Sequence, residues 1–354
     1  MKRPSCFMAV VWAASMVCLW VTHATAGEEF RSSETRTFEV GNTPDISMET
    51  VSGDVSYMAS EGTAATVTIE TTVRAKSQEE ADRIRDEVKI IVDGGDGFLT
   101  ARVDYPDDFQ HWLKHLFGPQ RSISVSFRVR GPRGADGVLT SVSGDVEVES
   151  VDGRMELRSV SGDITARQLA GALRANSTSG SIHAVDCAGP IAAQSVSGDQ
   201  RLESCGSGLK AHSVSGSIAA RSIKGETDVE AVSGDVTIDD AEATVTAGTI
   251  SGEIRIDQRA GGFDVHTTSG DITVRSSATA SPMVARSTSG EINVTVDPTA
   301  IGDVILETSS GDIQADLAMK IRQHTRHRLV GRVGDGEHQL KITTVSGEIV
   351  LGEL

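Results

Sequence analysis

From residue 141 onward, apolar and polar side chains alternate in short runs, and each run restarts at a glycine. Val142, Val146 and Val148 hold one phase, Val151, Met155 and Leu157 the next, and Val160, Ile164, Ala166, Leu169, Leu173 and Ala175 repeat it. Alternation at period two is the mark of a strand with one buried face. The runs are too short for helices, so this region is predicted to be a succession of brief strands joined at tight corners.

The corners are evenly spaced. Gly144, Gly162, Gly180, Gly198, Gly216, Gly234, Gly252 and Gly270 stand eighteen residues apart without a slip. Gly53 precedes them, and Gly290, Gly311 and Gly347 follow at longer intervals. Gly153, Gly171, Gly189 and Gly225 lie nine residues off this series, so the unit is two half-turns of nine. Two strands and two corners per eighteen residues predict a flattened parallel coil, with successive coils stacked at about 4.8 Å. No coil buries its apolar face alone, so the stack is the folding unit. The predicted fold class is all-β: a parallel β-solenoid, a two-sided coil of 18 residues per turn, with an N-terminal β-rich cap containing one helix. Roughly ten coils would make a rod about 50 Å long.

Each corner reads Ser-Gly-Asp or a near variant. Glycine is expected there because it reaches left-handed backbone angles without steric cost, and Ser or Asp beside it can bond nearby backbone groups. After the glycine the twelve copies carry Asp seven times, Glu three times (Glu253, Glu291, Glu348) and Ser twice (Ser181, Ser217). That tolerance points to a turn-stabilising ladder. A calcium ladder would need six to eight oxygens per ion, and one replaceable acid per coil falls short.

Residues 27–140 differ in character and read as a cap of strands leading into the solenoid. Ser77 and Glu80 form a capping-box signature ahead of Ala81, Ile84 and Val88, which predicts one helix of about three turns. Residues 141–316 are the regular repeat. Residues 317–354 are expected to supply C-terminal strands and a closing coil that ends the stack.

Residues 1–26 read as a secretory signal peptide: Lys2 and Arg3, an apolar run from Phe7 to Val21, then Ala24-Thr25-Ala26. The expected location is therefore exported: periplasm, cell surface or secreted. No transmembrane segment is expected after cleavage, since no other stretch approaches about 20 apolar residues. The formal net charge of −17 argues against a nucleic-acid partner, which needs Lys and Arg to neutralise phosphates. Aromatic residues make up only 4% of the chain. No cofactor is expected.

Three breaks in the pattern are the candidate sites. Cys187 and Cys205 are eighteen residues apart, so they occupy one position in consecutive coils, and an oxidising location would favour a disulfide between them. Phe109, Trp112 and Phe117, with Leu113 and Leu116, fall on one helical face and form a candidate partner surface, or pack against the chain itself. Lys320, Arg322, Arg326 and Arg328 alternate with other residues and form a candidate anion-contact stripe, or a solvated strand face. His212 and His266 share a coil position three coils apart, too far to act together. No nucleophile, base and orienting acid gather at a recognisable spacing, so no catalytic residue is assigned.

The repeated corners, such as Ser143-Gly144-Asp145-Val146 and Ser161-Gly162-Asp163-Ile164, carry a resemblance together with three other segments. These are Pro132-Arg133-Gly134-Ala135-Asp136, Gly331-Arg332-Val333-Gly334 and Thr344-Val345-Ser346-Gly347. In them the chain resembles the bacterial putative-adhesin family of β-strand-repeat domains of unknown function. The resemblance implies a cell-envelope or surface protein with a parallel β-solenoid fold and no established catalytic residues. The expected role is non-enzymatic binding or structure, with an unknown envelope or surface protein as partner. The alternative is a periplasmic envelope sensor or assembly factor that docks its partner through the N-terminal cap.

Overall fold

The computed structural model describes residues 20–22, 28–104, 121–277, 280 and 282–354. Among the described residues the strands assemble into two long sheets of sixteen strands each, and the chain alternates between them. Met155–Ser159 lies in one sheet and Ile164–Arg167 in the other; eighteen residues later Leu173–Ser177 and Ile182–Cys187 pair parallel to them, residue for residue. The parallel β-solenoid of 18 residues per turn is thus the observed fold, and the two sheets do not close into a barrel.

Burial follows the pleat. Met155 and Leu157 point inward and Arg158 outward; on the facing sheet Ile164 and Ala166 point inward and Arg167 outward. The core between the sheets is therefore a set of columns, each occupied by one side chain per coil. Phe263 fills the column that Leu209, Val245 and Met283 occupy in other coils, and it is fully buried. One part of the apolar phase turns out differently. Ser141 points inward, so Val142 points out, and Val142 and Val160 are exposed rather than part of the core. The alternation runs from the strand into the corner, and the buried hydroxyl holds the inward phase there.

The ends depart from sequence order. Strand Asp45–Thr50 pairs with Asp136–Ser141, and Val55–Ser60 with Val146–Glu149, so the first coil belongs to the stack although 75 or more residues separate it from its neighbour. Outside it lie Phe98–Asp104 and Ser122–Pro132, then antiparallel strands Ala64–Ala75, Glu28–Glu39 and Lys89–Gly95. Trp20–Thr22, within the expected leader, pairs with Glu29–Arg31. Helix α1, Gln78–Asp86, packs Ala81 and Ile84 inward. Its capping box is formed: the Glu80 amide donates to Ser77 Oγ at 3.3 Å, and the Glu80 carboxylate accepts the Lys76 amide at 2.9 Å.

At the other end the final coil does not close the stack. His338–Ser346 and Ile349–Glu353 lie between coil 283–296 and coil 301–315. The corners therefore stack in the order Gly270, Gly290, Gly347, Gly311. The outermost elements are Ile313–Ala315 in one sheet and, in the other, a hairpin of Lys320–Thr325 and Arg328–Arg332. A chain that inserts its last coil beneath an earlier one leaves the hairpin to cover the exposed strand edge.

Candidate functional site

The corner that dominates the sequence is a structural device. A Cβ placed on Gly162 would lie 2.0 Å from the Gly144 carbonyl oxygen; on Gly180 it would lie 1.9 Å from that of Gly162. The coils stack so closely here that the carbonyl of one coil occupies the place of a side chain in the next. Gly53, Gly270, Gly290, Gly311 and Gly347 adopt positive φ, but Gly144 to Gly252 do not, so the expectation of positive-φ glycine corners holds for five of the twelve and is corrected for the other seven, where close approach alone selects glycine. The non-glycine residues with positive φ stand away from these corners, at Ser150, Gln168, Asp186, Ser204, Ser222 and Asp240, with φ between 55° and 64°. Their polar side chains help hold this second ladder, with Ser150 Oγ 2.9 Å from Gln168 Oε1 and Ser222 Oγ 3.2 Å from Asp240 Oδ2.

Two further ladders satisfy the corner's backbone. The buried Ser159, Ser177 and Ser195 hydroxyls accept the amides of Gly162, Gly180 and Gly198 at 2.8 to 2.9 Å. The aspartates reach forward one coil. Asp145 accepts the Asp163 amide, Asp163 that of Ser181, Asp199 that of Ser217, Asp235 that of Glu253 and Asp271 that of Glu291, at 2.8 to 2.9 Å. These carboxylates are engaged with the backbone, which supports the turn-stabilising reading of the acid.

Cys187 and Cys205 are directly opposite one another, as the register requires, and both are buried. They are free thiols, so the expected bridge is not formed in this structure. Parallel in-register side chains keep the spacing of the coils, about 4.8 Å, which is wider than the roughly 3.8 Å between the Cβ atoms of a disulfide. Burial pushes the Cys205 thiol up to about 12, with the neighbouring Cys187 adding to it, and burial raises Cys187 as well.

The basic residues lie on the terminal hairpin, where Lys320–Thr325 is exposed along its whole length. Most of their charge is engaged. Arg322 pairs with Asp303 at 3.2 Å, Arg328 with Glu307 at 3.0 Å, and Arg326 stands 3.8 Å from Asp312. Asp312 is the corner acid of the outermost coil, so Arg326 approaches it on the side where a further coil would offer an amide. Phe109, Trp112 and Phe117 lie outside the described residues.

A groove absent from the sequence reading runs along the rod at the edge of one sheet. Its volume is about 620 Å³. One wall is an outward column in which Gln194, His212, Glu230, Gly248 and His266 follow one another on neighbouring coils. His212 Nδ1 lies 3.3 Å from Glu230 Oε2. Gly248 leaves a notch beneath the His266 ring, since a Cβ there would stand 2.5 Å from His266 Cε1. The other wall is apolar: Val196, Val214, Val232 and Ile250, one per coil and 41 to 52% exposed. The signal in the sequence was the Val-Ser-Gly spacing itself, obscured because these valines read as core. Among the described residues no group of His, Cys, Asp and Glu is placed to hold a metal ion.

The model of one family, Toastrack DUF4097, matches residues 41–221 and again 186–351, which together span the stack. The chain belongs to the Toastrack DUF4097 family. Solved structures similar to this Toastrack chain include a putative adhesin from Bacteroides fragilis NCTC 9343 at 14% identity and TM-score 0.28, covering 90% of this chain and 96% of that one. A putative adhesin from Parabacteroides distasonis ATCC 8503 matches at 12% identity and TM-score 0.30 with the same coverage. A putative lipid binding protein from that organism matches at 15% identity and TM-score 0.27, again covering 90% and 96%. No curated protein matches the chain.

Proposed function

We propose that this Toastrack protein is an exported, non-enzymatic binding protein of the cell envelope or surface, adhesin-like in role, with an envelope or surface protein as partner. The observation that carries the reading is the unbroken register of one sheet of the stack from Met155 to Ser251. Outward positions repeat coil after coil as straight columns, so the molecule offers a long rigid face for contact. The leader-like pattern of residues 1–26 supports export, and the net charge of −17 keeps such a face soluble and away from nucleic acid. Cell fractionation and retention of purified protein on an envelope fraction test it. Recovery with the envelope or medium, and saturable retention on envelope material, are expected; a wholly cytosolic protein that envelope material does not retain overturns the reading.

A further inference from the structure

The exposed apolar ladder is not explained by folding. Val196, Val214, Val232 and Ile250 contribute nothing to the core, yet they stand in one line on four consecutive coils. The line is interrupted at Thr178 on one side and Thr268 on the other. The groove of about 620 Å³ lies along these same four residues. Two residues beyond each valine or isoleucine is the corner glycine, and next to it stand in turn Asp199, Ser217, Asp235 and Glu253, acids on three of the four coils. The groove is thus an apolar rail with an acid at three of its four neighbouring corners, on a chain of net charge −17.

Spacing decides what fits such a rail. An extended peptide lying along the rod would cross the strands, find no backbone partners and place same-side residues at about 6.6 to 6.8 Å, out of step with the coils. A helix places the side chains of one face a turn apart, at about 5.4 Å, close to the coil rise of about 4.8 Å. Over the three intervals from Val196 to Ile250 the two repeats drift apart by only about 2 Å, within the reach of side-chain rotamers. These corner acids then call for Lys or Arg flanking the apolar stripe. A second copy of this chain would match the spacing but would bring another strongly acidic surface.

We propose that this groove receives a cationic amphipathic α-helix of a partner protein, its apolar residues at i, i+3 or i+4, i+7 and i+11 seated on Val196, Val214, Val232 and Ile250. The proposal rests on the binding-protein reading and gives that reading its face and partner chemistry.

The probe is a synthetic leucine and lysine peptide of about 18 residues with all leucines on one helical face, against a scrambled peptide of the same composition. Binding to the whole protein is read by fluorescence anisotropy, and sedimentation reports the oligomeric state. The amphipathic peptide is expected to bind, and raised salt to weaken it. A V214D/V232D variant is expected to bind about tenfold or more weakly, while V142D, on the far side of Thr178, binds as the parent does. Circular dichroism shows that each variant is folded, and V214T/V232T supplies the milder change should the aspartates disturb the stack. Equal binding of the scrambled peptide, or unchanged binding by the folded ladder variants, overturns the proposal. A dimer without peptide that falls to monomer in the ladder variants also overturns it, since the occupant is then a second copy. Retention on envelope material without peptide selectivity removes this inference and leaves the binding reading standing; loss of both removes both.

Discussion

The middle and the ends of this solenoid are made of the same coil but are held together differently. Between Met155 and Gln258 each strand pairs with strands eighteen residues away in either direction, apart from a bulge near Asp239. At the ends, Gly53 lies beneath Gly144, and Gly347 lies between Gly290 and Gly311. The middle is therefore built from near-neighbour contacts that can form as the chain extends. Each end depends on a coil brought back from far along the sequence, with the larger loop-closure cost that this carries. A repeat sequence specifies its middle cheaply, and the terminal coils must be locked by contacts the repeat does not encode.

Removing parts of each region gives the largest expected contrast. Truncation after Glu337 deletes the coil that pairs on one side with Met283–Ser289 and on the other with Ile301–Ser310. It leaves two apolar coil faces without a partner and is expected to abolish cooperative unfolding and to cause aggregation. Deletion of residues 191–208 removes one residue more, from the middle, but joins Pro190 to Leu209 in the original phase. That protein is expected to fold, with a drop in Tm on the order of 5 °C. Thermal melts followed by circular dichroism compare the two, and equal loss in both would erase the distinction between middle and end.

Glycines sharpen it next. In the middle, Gly162 has the Gly144 carbonyl where its Cβ would be. In the cap, Gly97 has φ +88° and open space around that position. Gly162→Ala must push two coils apart and is expected to cost about 1 to 3 kcal/mol, the range for overpacking. Gly97→Ala meets only the left-handed backbone penalty, about 1 kcal/mol. Asparagine separates the causes: it tolerates left-handed angles, so it should recover part of the loss at Gly97 and worsen it at Gly162. Denaturant melts of the four variants check this.

These differences mark how far the sequence could be read. The period of eighteen, the two strands per coil, the capping box at Ser77 and the register of Cys187 with Cys205 follow from local spacing, and local spacing is what residues in one coil share. The corner glycines were legible only in part because glycine answers two demands, positive φ, met at Gly53 and Gly270 among others, and close approach, met at every corner, and the sequence does not say which applies where. Ser150, Gln168 and Asp186 hide their left-handed angles because each is an ordinary polar residue preceding an apolar one. The order of Gly290, Gly347 and Gly311 was illegible because the repeat carries no label for which coil is whose neighbour. The groove was missed because exposed and buried valines look alike until Ser141 and its equivalents are known to point inward.

Titration reaches the two regions through different groups. In the middle, burial holds Cys205 protonated up to about 12, whereas in the unfolded chain it ionises from about 9. Its stabilising effect is complete below pH 9 and falls by about 1.4 kcal/mol for each pH unit above that, until the folded thiol itself ionises. In the cap, Glu29 is held below the ordinary carboxylate range by Arg74 and Arg31, and Glu80 by the Lys76 amide and Arg121. These contributions are present above about pH 4.5 and are lost as pH falls through the lowered values. Glu203 in the middle is likewise held low by Arg201, and burial raises the Tyr57 hydroxyl in the first coil, so acid and alkali each reach both regions, and Cys205 is the part of the alkaline limb that lies in the middle. Stability against pH for Cys205→Ala, which should flatten that part of the alkaline limb alone, checks the assignment. Ellman titration of the denatured, unreduced protein without residues 1–26, which carry Cys6 and Cys18, should find two thiols, and none would show that the pair is bridged.

The smallest effect concerns the acid ladder, where a single methylene distinguishes the copies. Asp163 accepts the Ser181 amide at 2.8 Å, and Asp235 accepts that of Glu253 at 2.9 Å. Aspartate is the right length because its carboxyl sits close to the corner and points along the stack. A glutamate there carries the same charge, but its longer arm displaces the carboxyl from the amide above. Asp163→Glu should thus cost nearly as much as Asp163→Ala, about 0.5 to 1.5 kcal/mol for one net hydrogen bond. Asp312→Glu, at the outermost corner, has no coil above it and meets only the exposed Arg326, so its expected cost is near zero. If Asp163→Glu were as mild as Asp312→Glu, the ladder would act through charge alone, and the corner acid would serve the surface rather than the stack.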